Sequence, residues 1–329
     1  MINIQHLTKN YGSLCALDDV SFSVNEGEIV GFLGPNGAGK STAMNILCGY
    51  LSCDNGSAEI GGINILDNPI EAKRQIGFLP EQPPLYLDMT VREYLRFIFE
   101  LKGCRINRDE HLKAVMEIVQ ITEVENRIIR NLSKGYKQRV GIAQALVGNP
   151  KVLNFDDPTV GLDPKQIIEI RELIKELGKK HTVILSTHIL PEVQAVCDRI
   201  VIINKGRIVA NERTEDISKA ATAGRRITVK LCGDEKAIYD GLKNHLPGVQ
   251  SVGNLGKRDL DSCTFYVESE PGVDIRKPLF NMAAKENWPI IGMENMGMDL
   301  EDIFISLVND GAKQEKKKAV IRVNGKEKR

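Results

Sequence analysis

Short apolar runs bounded by turn residues recur through the first two hundred positions, at 29–33, 76–79, 151–155, 182–186 and 199–203, preceded by an alternating apolar and polar segment at 20–24. Each has the length and boundaries of a strand. The strands 20–24 and 29–33 are joined by the turn Asn25-Glu26-Gly27. Residues 57–66 read as a hairpin turning at Gly61-Gly62, and 207–210 pairs back on 199–203 around Asn204-Lys205-Gly206. A helix is predicted over 40–50. From about 85 to 145 the pattern becomes helical, opened by the capping box Thr90-Val91-Arg92-Glu93. Asp163-Pro164 supplies an N-cap and a first-turn proline for a helix running to about 177. Strands alternating with helices predict an α/β core with an inserted helical subdomain.

Near residue 220 the pattern changes. Residues 220–224 (Ala-Ala-Thr-Ala-Gly) read as a linker. Beyond it come a strand (227–231), a helix (236–245), two strands (249–252 and 263–268), a helix (275–287), a strand (289–292) and a closing helix (300–309). This order predicts a small α+β domain over 225–310. The expected division is 1–220 for the α/β domain, with its helical subdomain at 85–145, then 225–310, then a tail at 311–329. No internal repeat is visible.

Composition changes this picture little. The 329 residues suffice for two domains, and the net charge is zero, which removes any overall bias towards nucleic acid or a membrane. The charge is uneven, however: residues 311–329 hold eight basic side chains against two acidic ones. That segment reads as a solvated tail, with contact to anionic lipid as the alternative. The seven cysteines are scattered and read as reduced thiols; Cys48 and Cys53 lie close together, but no second pair or histidine cluster completes a zinc site. The opening residues do not resemble a signal peptide, and no apolar run approaches the ~18 residues that span a bilayer.

The candidate chemistry begins at Gly34-Pro35-Asn36-Gly37-Ala38-Gly39-Lys40-Ser41, which has the G-x4-G-K-[ST] spacing of a phosphate loop. Glycines let the backbone curl until successive amides face phosphate oxygens, and the following helix adds its positive end. Lys40 neutralises phosphate charge, Ser41 offers a hydroxyl to Mg²⁺, and Thr42 adds polar contacts. The loop follows the 29–33 strand and opens a helix, as the motif requires.

Three further segments bear on function. The strand 151–155 runs into two carboxylates, with Asp156 suited to the Mg²⁺ shell and Asp157 to the attacking water. Leu132-Ser133-Lys134-Gly135-Tyr136 precedes a helix, so Ser133 and the Gly135 amide can form a second anion-binding helix start. Ser186-Thr187-His188 ends a strand at the carboxyl edge, where open α/β sheets bind ligands.

Residues 1–215 therefore resemble the nucleotide-binding subunit of an ABC transporter, with every motif in the expected order. The resemblance implies a phosphate-loop NTPase fold that binds ATP and Mg²⁺. It implies that Tyr11 stacks on adenine, that Gly34 to Ser41 is Walker A, and that Leu132 to Tyr136 is a variant of the LSGGQ signature. Asp156 becomes the Walker B aspartate, Gly161-Leu162-Asp163 the D-loop and His188 the switch histidine. It further implies that two copies sandwich two ATP molecules, each lying between one phosphate loop and Ser133/Gly135 of the other copy. Membrane permease subunits follow the motion, and the subunit sits peripherally on the cytoplasmic membrane face. No nucleic-acid partner is implied.

Departures from the family pattern sharpen the expectation. Lys134 and Tyr136 replace the usual Gly and Gln, a form similar to exporter ATPases of ABC-2 type, including drug-export and gliding-motility systems. Glu81 aligns with the glutamine that normally contacts the metal-bound water, although Gln82 follows immediately. Asp157 stands where the family has a glutamate, which implies slow hydrolysis because its reach is shorter by about 1.5 Å and a misplacement of ~1 Å can cost ~10²-fold in rate, or near-normal turnover where the backbone compensates. Residues 225–310 resemble the C-terminal domain of many ABC-2 ATPases. Competing readings are a soluble ABC ATPase outside transport and an ATP-binding switch with very slow hydrolysis.

Overall fold

The computed structural model describes residues 2–216, 226–259, 262–270 and 273–296. The predicted linker 220–224, closing helix 300–309 and basic tail 311–329 lie outside the described residues. The chain divides into two compact units, Met1–Thr214 and Glu215–Arg329.

In the first unit, β1 (Ile2–Tyr11) and β2 (Leu14–Val24) form an antiparallel hairpin. Their apolar positions do not keep a strict period of two. Leu7 follows Ile4 by three residues because His6 adopts φ 52°, and Val20 follows Leu17 by three because Asp19 adopts φ 57°. The two bulges offset one another, so all four apolar side chains stay buried. The turn at Asn25-Glu26-Gly27 does not close a hairpin. It passes the chain from β2 into β3 (Ile29–Leu33), which belongs to a different sheet.

After α1 (Lys40–Leu47), the short hairpin β4 (Asn55–Ile60) and β5 (Ile63–Asn64) completes an antiparallel sheet in the order β2-β1-β4-β5. Helix α2 (Pro69–Arg74) leads into β6 (Ile76–Leu79). The helical segment holds α3 (Val91–Leu101), α4 (Arg108–Ile118), two short 3-10 turns and α5 (Lys134–Leu146). The capping box at Thr90 and Glu93 is formed with both of its hydrogen bonds. Gly77 allows α5 to approach β6, since a Cβ there would stand 2.2 Å from the Ala145 carbonyl oxygen.

The remaining strands of this unit are β7 (Val152–Asp156), β8 (Thr182–Thr187), β9 (Arg199–Asn204) and β10 (Arg207–Arg213), with α6 (Pro164–Gly178) and α7 (Leu190–Val196) between them. The second sheet runs β10-β9-β3-β8-β7-β6, parallel except for the edge strand β10. Its central strands are buried along their length, as a sheet covered on both faces requires. Leu33 pairs with Thr187 and Asp156 with Ser186. Three segments distant in the chain therefore end level with one another at one sheet edge.

In the second unit, β11 (Arg226–Cys232), α8 (Glu235–Asn244), β12 (Val249–Asp259), β13 (Ser262–Ser269), α9 (Arg276–Lys285) and β14 (Ile290–Met296) form an antiparallel sheet in the order β12-β13-β11-β14. This is the ferredoxin-like βαββαβ arrangement. Its core joins Val229, Leu231, Phe265 and Val267 of the sheet to Ile238, Leu242 and Leu279 of the helices.

Candidate functional site

The loop from Gly34 to Gly39 leaves β3 and enters α1 at its N-terminus. Gly37 and Gly39 have φ of 77° and 110°, in the left-handed region that a side chain disfavours. At Gly39 the space is also closed, because a Cβ would lie 2.6 Å from the carbonyl oxygen of Ala16 in β2. Gly39 is the N-cap of α1 and offers no side chain to the first-turn amides. Those donors, with the positive helix end behind them, form a cradle for an anion. Pro35 and Asn36 form the outer bend, and the Ala38 amide bonds to the Pro35 carbonyl at 3.1 Å.

Lys40, Ser41 and Thr42 make the first turn of α1. The Lys40 side chain is buried and donates to the carbonyls of Gly34 at 2.7 Å and Pro35 at 3.2 Å. Burial lowers its pKa, while the carboxylates of Asp157 and Asp156 oppose that shift. The ammonium thus lies inside the loop and within the field of both carboxylates. Ser41 is exposed and Thr42 half-buried.

Asp156 is the last residue of β7. Burial raises its pKa, and the charges of Asp157 and Glu81 raise it further against the pull of Lys40. Glu81, just beyond β6 and exposed, therefore acts on the same locality. Asp157 has left the strand and adopts φ 44°; its amide bonds to the Ser186 carbonyl at 2.8 Å. Its Oδ1 lies 3.2 Å from Nδ1 of His188, which follows β8 and is exposed. A carboxylate and an imidazole so paired can hold and orient a water.

Tyr11 ends β1 with its ring half exposed, on the hairpin whose return strand borders Gly39 at Ala16. Ser133 and Gly135 stand elsewhere. They line a groove of about 450 Å³ with Tyr136, Arg139, Asp163 and Gln166, and no phosphate-loop residue lines it. The Ser133 side chain caps α5 by accepting from the Tyr136 amide at 3.4 Å, which leaves its own proton free to be donated. A Cβ at Gly135 would meet the side-chain amide of Gln166 at 2.7 Å, so that side chain would have to move aside. Tyr136 donates its hydroxyl to Glu123 at 2.6 Å, and Lys134 lies over Gly161.

A third layer leaves no mark in the sequence. Thr159, Thr187 and Glu192 are buried together behind Asp157 and His188. Glu192 carries no local signal, because an acid after a proline in a first helical turn reads as an ordinary solvated residue.

Residues 17–160 match the ABC transporter family model. The chain is 40% identical over 310 residues to an uncharacterized ABC transporter ATP-binding protein of Bacillus subtilis, covering 94% of this chain and 100% of that one. It is 39% identical to a bacitracin transport ATP-binding protein of Bacillus licheniformis, over 94% of this chain and 98% of the relative. The dimeric structure of an ATP-binding cassette in a post-hydrolysis state, bound to ADP and Pi, superposes with a TM-score of 0.60 at 28% identity, covering 65% of this chain and 99% of that one.

The fold and site define a phosphate-loop ATPase. The chain belongs to the ATP-binding proteins of ABC transporters: it binds ATP, hydrolyses it and serves a transporter. The likeness over 310 residues also reaches well into the second unit.

Proposed function

We propose that this chain powers an ABC-2-type exporter through ATP-driven closure of a dimer of two copies. One observation carries the dimer: Ser133 and Gly135 line a groove that the phosphate loop of the same copy does not reach. A second copy supplies the missing half in this reading, with each ATP between Gly34 to Ser41 of one and Ser133/Gly135 of the other. Tyr11 stacks on the adenine. ATP bridges only the closed state, so it binds that state better and shifts the population towards it. The dimeric cassette and the bacitracin transport relative support this reading.

Mg²⁺ fits the donor set. Ser41, Asp156 and Glu81 offer oxygens only, and among the described residues no three His, Cys, Asp or Glu side chains cluster as a metal cage. Mg²⁺ is commonly held by one or two protein oxygens together with substrate phosphates. Glu81 stands close enough to Asp156 to act on it, which makes it available as the third donor. Asp157 holds the attacking water, and His188 orients it.

Among the described residues no helix is long and apolar enough to cross a membrane, so transport in this reading requires separate permease subunits and a peripheral place on the cytoplasmic face. In this reading they dock through the helical segment after Glu81, whose helices α3 and α5 end, with α2, at a groove of about 680 Å³. Lys73, Arg105 and Lys151 line it together with exposed Ile70 and Leu101. That surface suits a permease segment bearing carboxylates beside apolar side chains.

The deciding experiment measures the mass of the Asp157→Asn protein in solution with and without MgATP. Dimers are expected with ATP, and Ser133→Arg should abolish them. A monomer at saturating ATP would rule out the sandwich.

A further inference from the structure

We propose that Glu192 is a positioning residue for hydrolysis: its buried carboxylate locks the segment after Asp157 to the segment before His188. The inference rests on the assignment of Asp157 and His188 above. Glu192 lies in the first turn of α7 and is 2% exposed. One carboxylate oxygen accepts from the Thr159 hydroxyl, and the other accepts from the Thr187 hydroxyl at 3.1 Å. Both threonines are themselves buried. The Ile189 amide donates to the Thr187 oxygen at 3.2 Å, which leaves the Thr187 proton directed at Glu192.

The placement of the two hydroxyls gives this cluster its meaning. Thr159 comes two residues after Asp157, and Thr187 immediately precedes His188. The carboxylate therefore spans the two loops whose ends meet at the Asp157–His188 pair, 3.2 Å apart. Its ion-pair partner, Arg171, stands 4.0 Å away, at the limit of such contact. A buried charge is costly unless hydrogen-bonded, and an apolar side chain would pack this position without that cost. Charge-assisted hydrogen bonds hold donor and acceptor at short, directed separations. Two of them from one rigid carboxylate set the spacing of the loops more tightly than apolar packing would.

The test compares the full-length protein with Thr159→Val and Thr187→Val, which remove one hydroxyl each at similar volume, with the serine variants at both positions, and with Glu192→Gln. Steady-state kcat and KM for MgATP, the Kd of a fluorescent ATP analogue and Tm are read for each. Because misplacing catalytic groups by ~1 Å can cost ~10²-fold, each valine variant should lose about tenfold or more in kcat. KM and nucleotide Kd should stay within about twofold, and serine should restore kcat at both sites. The double valine variant should fall less than the product of the single effects, since both act through Glu192. Unchanged kcat in folded valine variants would overturn the inference. So would parallel loss of kcat, nucleotide affinity and Tm that serine does not repair. A wild-type protein without MgATP turnover would overturn the functional reading itself, and this inference with it.

Discussion

Nδ1 of His188 and Oδ1 of Asp157 stand 3.2 Å apart, across the ends of β8 and β7. The pairing depends on Asp157 taking φ 44°, a conformation that aspartate tolerates better than most residues. Once turned in this way, its carboxylate faces the histidine and remains within the field of Lys40. The shorter acid thus completes the pair at the site edge.

In the proposed mechanism Asp157 sets the rate. Asp157→Asn removes the group that accepts the water's proton, so steady-state kcat should fall by about 10²-fold or more while the nucleotide Kd changes little. Asp157→Glu extends the reach by about 1.5 Å and should raise kcat several-fold. A glutamate variant no faster than wild type would show that side-chain length does not limit turnover.

Gly39 and Gly37 should respond differently to alanine. At Gly37 a Cβ meets nothing within 4 Å, so only the left-handed backbone resists, at about 1 kcal/mol. At Gly39 a Cβ would stand 2.6 Å from the Ala16 carbonyl oxygen, and the loop must move. Isothermal titration with MgATP should show more than tenfold weaker binding for Gly39→Ala and a smaller loss for Gly37→Ala.

Asp156 makes stability and function oppose each other. Its folded-state pKa is raised, chiefly by burial. The associated stability is therefore greatest below the unfolded value and is lost as pH rises through the folded one, so the ionised group is a burden at neutral pH. Without nucleotide, Asp156→Asn should melt higher than wild type at pH 7, and the difference should shrink in acid. The same variant should lose its MgATPase activity.

Thr90 anchors the start of the helical segment. Its hydroxyl accepts from the Glu93 amide at 3.2 Å, and Glu93 accepts from the Thr90 amide at 2.8 Å. Thr90→Ala should cost about 1 kcal/mol locally. Hydrogen exchange should report it as faster exchange in the first turn of α3, with the amides of β3 and β7 unchanged.

The capping box, the phosphate loop and the strand 76–79 were legible because each is a local rule. The N-terminal hairpin was less so. Its apolar spacing is broken by the bulges at His6 and Asp19, which hide a strand from any test of strict alternation. The short helices α2 and α7 were also missed, since each is too brief to display a helical period. Helix α1 stops at Leu47, short of the predicted 50, because the chain turns at Gly49 with φ 68°.

Local rules along the chain set the phosphate loop, the capped starts of α3 and α6, most of the apolar strands and the chemistry available to Lys40, Asp156, Asp157 and His188. These follow from residues close together in the chain, where backbone geometry and capping act directly. That β8 lies between β3 and β7, in a register that brings Asp157 to His188, follows instead from packing across the fold. Packing likewise buries Glu192 between Thr159 and Thr187 and sets Ser133 and Gly135 in a groove that no phosphate-loop residue lines. Pairing between parallel strands is set by packing on both sheet faces, and no local period encodes which distant strand becomes the neighbour.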